Sequence, residues 1–473
     1  MSSWVCNLSL FIFRRDLRIN DNTGLIKALT ESKYVIPLFI LTPTQVSDSN
    51  KYKSSNAIQF MMESLYDLSQ QIKDINQKCS LWITYGDEID VIDEIDKQLK
   101  IDAIYLNEDY TPYAIFRDNK IKSYCKNNNI DLNISADILL ADAHDIKSKN
   151  GNRYHNFTLF YKNLLKYPVR KPNYDILNNF KPLIPAFKKW KIHLMDKFLL
   201  DNNFYQINNQ IAVFGGRTNA IEILKNIAKF KNYRKTKDYP IIPTTMLSAH
   251  NKFGTVSIRE VYYAFRKEKT GDLCKNLYWR DFYYYVGIYF NQFYKYQHIF
   301  KKNAKKNIKW ENNNHYFNAW KNGKTGFPLV DATMRQLNTT GFMHNRGRLI
   351  VSQFLTKDLL VDWKYGEKYF SKKLVDIDRA QNVGNWNWSS SFGLDSTPFL
   401  RIFNTWTQSK LYDPDCEYIK KWIPELKNIN PQHIHKWYEY YHDYPNVKYP
   451  KPIVDHNVRR KKFVEFYKSY FKK

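Results

Sequence analysis

The chain has 473 residues, too many for one ordinary hydrophobic core, so at least two domains are expected. Aromatic residues make up 16 % of it, which excludes a disordered chain, and 15 Gly with 17 Pro exclude a collagen-like one. Lys and Arg total 73 against 46 Asp and Glu, a formal charge of +27; this fits a nucleic-acid partner, although A·T-rich coding would produce the same abundance of Lys and Asn.

The first third alternates strand and helix. Leu8–Phe13 is an apolar run, and Asp21-Asn22 precede a helix to about Thr30. Tyr34–Leu41 reads as a second buried strand. A long helix follows over Ser54–Lys78, with Ile58, Met61, Met62, Leu65, Leu68 and Ile72 at helical spacing. Strands at Ser80–Tyr85, Ala103–Leu106 and Leu132–Ile134 are separated by helices at Glu88–Leu99 and Tyr113–Lys126. This alternation predicts an α/β, doubly wound parallel sheet over residues 1–140. No G-x-G-x-x-G follows the first strand, so a dinucleotide fingerprint is absent.

From 141 to 211 the periodicity fades among Pro168, Pro172, Pro182 and Pro185, which predicts a connector. Gly215-Gly216 then opens a helix capped near Thr218 or Asn219. Residues 212–473 hold helical stretches at Ile258–Arg266, Leu277–Phe293, Leu329–Asn338, Arg346–Leu360, Tyr418–Ile423 and Arg459–Phe471, and no period-two strands, so this part is expected to be all-helical. Cys6, Cys79, Cys125, Cys274 and Cys416 form no C-x-x-C pair, so neither a disulfide framework nor a metal site is expected, and an intracellular location is. No stretch approaches the ~18 apolar residues that span a bilayer, so a soluble protein without a membrane partner is expected. The opening WVCNLSLFIFRRDLR reads as a first strand rather than a signal peptide.

Several segments resemble the photolyase/cryptochrome flavoproteins over essentially the whole chain. They are Phe13–Asn22 (FRRDLRINDN), Tyr278–Phe282 (YWRDF), Lys324–Leu337 (KTGFPLVDATMRQL), Gly341–Arg348 (GFMHNRGR), Phe354–Trp363 (FLTKDLLVDW), Asp376–Trp388 (DIDRAQNVGNWNW) and Arg401–Asn404 (RIFN). The resemblance implies a noncovalent FAD in the helical domain and an antenna cofactor in the α/β domain. It further implies light-dependent repair of cyclobutane pyrimidine dimers in UV-damaged DNA. A monomer with no obligate protein partner is expected.

Thr244-Thr245-Met246-Leu247-Ser248 is similar to the family's phosphate-binding segment, and Tyr233 precedes it at about the family's spacing. Taken alone, such a cluster is more often an ordinary helix cap. Asp376, Ile377 and Asp378 match flavin and ribityl contacts, with Arg348 paired to Asp376. Asn382 matches the residue against flavin N5, where an amide favours the reduced forms. Trp386, Trp363 and Trp310 match the family's electron-transfer chain; without the resemblance, core packing is the default for any Trp. Trp279 and Trp388 match aromatics that pack against a flipped dinucleotide, and Asn345, Arg346 and Gln408 match lesion-side or DNA contacts. Lys237, Arg401, Lys410 and the run Lys301–Lys309 are available for phosphates.

Some positions depart from the pattern. Asn276 stands where repair enzymes usually carry Glu; it can donate and accept hydrogen bonds but cannot give a proton. Leu349 stands where the dimer-repairing class usually has Met. The two His that repair of (6-4) lesions requires, at the positions of Asn345 and Leu349, are missing, so that activity is not expected. GFM-x-NRGR and GNW resemble the DASH branch, which keeps open repair restricted to single-stranded DNA. Asn276 also fits a blue-light photoreceptor of the cryptochrome type, whereas the short run beyond Pro452–His456 speaks against a signalling tail. Tyr113 and Ala114, where folate contacts would fall, do not match the folate-binding Asn-Glu pair. For the antenna, folate, a deazaflavin, a flavin or nothing are all open.

Overall fold

A computed structural model describes residues 4–148, 151–184, 192–194, 204–290, 292–296, 308–393 and 400–470. The N-terminal part is built on a six-stranded sheet. Its strands are β1 (Cys6–Phe13), β2 (Ser32–Leu41), β3 (Trp82–Tyr85), β4 (Ala103–Asn107), β5 (Asp131–Ser135) and β6 (Ile192–Leu194), in the order β5-β4-β1-β2-β3-β6. The first five run parallel, as expected, and β6 pairs antiparallel with β3.

The sheet is wound on both faces because its strands are apolar on both. Leu8, Leu10 and Ile12 of β1 pack with Val91, Ile92, Ile95 and Ile121, from the helices Glu88–Leu99 and Pro112–Asn128. Phe11 and Phe13 turn the other way. They meet Leu25, Leu29, Phe60, Leu65, Leu68 and Ile72 of the helices Thr23–Glu31 and Ser55–Ile75. Ser54 and Asp87 cap two of these helices through their side chains.

The expected connector contains more structure than its prolines suggest. The helix Phe157–Leu164, capped by Asn156, buries Phe157, Phe160 and Leu164 in the core of the helical part. The edge strand β6 also falls within it. The helix after Gly216 corrects the expected cap. It spans Arg217–Lys225 with Gly216 at the cap, at φ 97°, so Thr218 and Asn219 lie inside it. Its cap comes from another helix: Asp67 accepts from Arg217 N at 2.9 Å and Thr218 Oγ1 at 2.7 Å.

After β6 the described residues hold helices and no further strand. The stretch expected as Leu277–Phe293 is the helix Gly271–Tyr289. The stretch expected as Arg346–Leu360 is the helix Asn345–Gln353 followed by one π-turn over Phe354–Asp358. The opening motif acts as a clamp between the two parts. Arg18, 2 % exposed, pairs with Asp137 at 2.6 Å; Arg259 of the helix Ile258–Lys267 reaches both Asp21 and Asp137 at 2.7 Å. Burial acts to raise the Asp137 carboxyl, but the two guanidiniums outweigh it and hold the group far below the usual carboxylate range. All five cysteines are buried and free.

Candidate active site

A cavity of about 350 Å³ opens in the helical part. Every residue expected to hold the flavin lines it: Tyr233, the stretch Thr244–Ser248, Arg348, Asp376, Ile377, Asp378 and Asn382. Trp386 lines it too, with Asn276, Asn345 and Leu349 from the expected lesion side. Residues far apart in sequence therefore share one wall.

Local chemistry positions each of them. The helix Leu247–Phe253 begins after Met246, whose backbone is left-handed at φ 53° and supplies no side-chain cap. Arg348 is held by Met343 O at 2.9 Å and pairs with Asp376 Oδ2 at 2.8 Å, as expected. The other oxygen, Asp376 Oδ1, is buried without a hydrogen-bond partner from the protein. An orphaned carboxylate oxygen costs free energy unless a ligand donates to it.

Asp378 sits differently. Its Oδ1 caps the helix Arg379–Ser389 through Gln381 N at 3.1 Å, and its Oδ2 accepts from Arg15 and Tyr284. Burial acts to raise its carboxyl, but Arg15 and Tyr284 outweigh it and bring it down to about 2. Asp378 lines the cavity with both oxygens engaged by protein donors, so it differs from Asp376, whose Oδ1 has no protein donor.

The Asn382 amide is oriented by partners that the sequence does not flag. Its Nδ2 donates to Glu367 O at 3.0 Å, Glu367 Oε1 at 2.8 Å and Ser371 Oγ at 3.0 Å. A backbone carbonyl can only accept, so Nδ2 is the donor, and Oδ1 is left to accept from a ligand. Burial pushes the Glu367 carboxyl up, and the Asn382 hydrogen bond opposes this.

Trp386 is 2 % exposed and packs on Phe370 at 4.9 Å between ring centroids and on Trp320 at 6.1 Å. Gly366 makes room for it, since a Cβ there would overlap the indole. Gly366 belongs to the helix Trp363–Lys373, which Trp363 starts. Trp310 lies farther out, against Phe392 and Phe466. Backbone bonds from Glu311 and Asn312 to Leu360 O tie its segment to the approach of Trp363. The three indoles are thus carried on connected segments, and Trp386 is the one that reaches the cavity.

The lesion-side residues divide. Asn276 is exposed at the mouth, and its Nδ2 donates to the Tyr233 hydroxyl at 3.2 Å. Trp279 and Trp388 lie outside the lining, although their helices also carry the lining residues Asn276, Arg280, Asn385 and Ser389. Trp279 is stacked on Phe157 at 3.5 Å between centroids and 8° between planes. One of its faces is therefore covered by the connector helix. Arg346, Arg401 and Gln408 are outside the lining as well. Arg346 pairs with Asp238, and its Nη1 stands 3.5 Å from Gln408 Oε1. Arg401 and Lys410 are exposed. Of the run Lys301–Lys309, residues 301–307 lie outside the described residues.

A second cavity, also about 350 Å³, lies where the sheet meets the helical part. It is lined by Arg14, Arg15, Glu88, Asp109, Tyr113, Arg117 and Arg379, and shares Lys252 and Ile377 with the first. Arg14 and Arg117 are each more than nine-tenths buried and keep an Nη2 without a hydrogen-bond partner. Burial, and Arg15 beside it, lower the Lys252 ammonium to about 7.

Residues 9–175 match the family described as DNA photolyase, and residues 273–469 match the FAD binding domain of DNA photolyase. A deoxyribodipyrimidine photo-lyase of Buchnera aphidicola is 35 % identical, covering 98 % of this chain and 97 % of that one. The chain belongs to the DNA photolyase family. It carries that family's FAD-binding domain. The crystal structure of an archaeal photolyase from Sulfolobus tokodaii, which holds two FAD molecules, is 38 % identical with a TM-score of 0.86, over 98 % of this chain and 100 % of that one. A Synechocystis cryptochrome is 25 % identical with a TM-score of 0.85, over 97 % and 99 %. Photolyases act on DNA, and no helix among the described residues is long and apolar enough to cross a membrane.

Proposed function

We propose that this photolyase repairs cyclobutane pyrimidine dimers in UV-damaged DNA, driven by light. The observation that carries the reading is one cavity lined both by the flavin residues and by Asn276, Asn345 and Leu349. The orphaned Asp376 Oδ1 and the free acceptor on Asn382 suit the donors of a flavin ring, and the Thr244, Thr245 and Ser248 hydroxyls suit its phosphates. The residues of this cavity would hold FAD, which in its reduced, light-excited form would lend one electron to the dimer and recover it on ring opening, with no net redox change.

The chain's own residues do the rest. Asn382 accepts from the flavin N5–H and so favours the reduced forms. Asp376 takes a ring donor, and Arg348 holds that carboxylate in place through its ion pair. Trp386, Trp363 and Trp310 relay an electron inward from solvent to reactivate oxidised enzyme. Asn276 and Asn345 hydrogen-bond the extruded dimer, and Leu349 packs on it. Trp279 stacks on the base, braced from behind by Phe157, and Trp388 closes the opposite side. Arg346, Arg401, Gln408, Lys237 and Lys410 hold the backbone of the DNA. Asn276 hydrogen-bonds the dimer but has no proton to give it, so this position supplies no acid.

The second cavity is our candidate for an antenna chromophore. The unpartnered Nη2 groups of Arg14 and Arg117 support an anionic one of the flavin or deazaflavin kind, and Tyr113 in place of the folate-binding Asn speaks against folate. We divide the chain into an antenna domain (1–140), a connector (141–211) and a catalytic domain (212–473). We take a monomer as the working unit, and five buried free thiols suit a reducing compartment.

The test is a labelled oligonucleotide carrying one thymine dimer, bound in the dark to the reduced protein. Blue light should release it, because repaired DNA binds weakly; a complex that survives illumination refutes the proposal.

A further inference from the structure

The cations placed on the DNA face are not all free to bind. Arg346 donates to Asp238 Oδ1 at 2.6 Å, and its guanidinium lies over the Tyr412 ring at 4.2 Å. Lys237 Nζ meets Asp272 Oδ2 at 3.0 Å. These pairs stand beside the cavity mouth. Lys237 follows the turn that begins at Tyr233, and Asp272 opens the helix that carries Asn276. Arg346 follows Asn345 in the first turn of its own helix. Both aspartate side chains are 33 % exposed, so solvent and an incoming polyanion can reach them.

We infer that Asp238 and Asp272 are built-in competitors of DNA phosphate, which hold Arg346 and Lys237 neutralised until a substrate displaces them. The inference rests on the DNA-face reading above. To grip a phosphate, Arg346 must give up one oxyanion for another, and the released carboxylate then repels the backbone nearby. The exchange yields little net attraction at this rim. In a chain of charge +27, unrestrained cations would hold any duplex, because phosphate neutralisation carries no sequence or lesion information. An undamaged duplex offers only backbone contacts and is released. A dimer that also enters the cavity adds base contacts that the aspartates do not oppose. Penalising the wrong partner is a general route to selectivity.

The experiment measures dark binding of the FAD-loaded protein to undamaged and dimer-containing duplexes by fluorescence anisotropy over a salt series. Asp238→Asn and Asp272→Asn are each expected to tighten binding of the undamaged duplex about two- to fivefold, the range of an exposed ion pair. The slope of log affinity against log salt should steepen by up to ~0.9 for each carboxylate removed. Repair of a labelled dimer in excess undamaged DNA should slow correspondingly, as the competitor captures the enzyme. Asp238→Ser serves as a second variant, and flavin absorbance and thermal melting report folding. Arg346→Gln and Lys237→Gln should weaken both duplexes. If they do and the aspartate variants bind undamaged DNA no more tightly than the parent, the carboxylates only orient the cations and the inference is overturned. If Arg346→Gln and Lys237→Gln change nothing, the DNA-face reading fails, and the inference with it.

Discussion

Replacing Asp376 by Asn tests the cofactor site at a single oxygen. The side chain is only 3 % exposed, one oxygen is paired with Arg348, and the other is buried and free of protein partners. Asn keeps the shape but removes the charge, so a ring donor meets at best a neutral acceptor. A hydrogen bond to a charged group contributes about 1.5–3 kcal/mol and one to a neutral group about 0.5–1.5, so the loss runs from about 1 kcal/mol with a neutral bond kept to about 3 with none; at 1.4 kcal/mol per tenfold, the FAD dissociation constant should rise about 5- to 150-fold. Loss of the Arg348 pair adds little, because Arg348 is 28 % exposed and water can solvate it. The assay is the ratio of visible to ultraviolet absorbance after purification, followed by titration of the apoprotein with FAD. Asp376→Ala should be nearly colourless. An Asp376→Asn protein with full flavin and unchanged affinity would refute the assignment.

Further outcomes follow from other contacts. Trp386→Phe should abolish photoreduction of oxidised enzyme while pre-reduced enzyme still repairs, read by flash absorption and by repair yield; retained photoreduction would mean that another ring, such as Trp320, is the first donor. Asn276→Glu should raise the repair quantum yield or leave it unchanged, and a large loss would show that the Tyr233–Asn276 bond serves another purpose. For Asp378 the folded pKa of about 2 lies below the ordinary 3.8, so its stabilisation is fully present above about pH 4 and lost as pH falls toward 2. At 1.36 kcal/mol per unit that is about 2 kcal/mol, and Asp378→Asn should lower the melting temperature at pH 7 but flatten its acid dependence between pH 4 and 2.

The parts of the fold legible in the sequence are those whose signals are local. β1 and β2 are predominantly apolar runs, and Glu88–Leu99 carries its own cap and acidic first turn, so its bounds match the expected ones. β6 was not legible, because three residues in a proline-rich stretch carry no alternation. The helix Arg217–Lys225 starts earlier than local signals suggest, since Asp67 caps it from elsewhere in the fold. The candidate site shows the same division. Arg348, Asp376 and Asn382 lie in motifs, and the structure gathers them. Glu367 and Ser371, which orient Asn382, sit four residues apart on a helix whose sequence has no chemical signature. Arg15 stands inside the opening motif, but its bond to Asp378 spans 363 residues and appears only once the chain has folded. Phe157 behind Trp279 was hidden for the same reason.

The most direct measurement is repair itself. The protein is reduced without oxygen, given an oligonucleotide with one thymine cyclobutane dimer, and exposed to blue light beside a dark control, and intact thymines are quantified by chromatography. Restored thymines in the light alone are the predicted result, and they would show that Asn276 and Leu349 suffice for the chemistry. No repair by a protein that binds FAD, photoreduces it and binds the damaged strand would contradict the account.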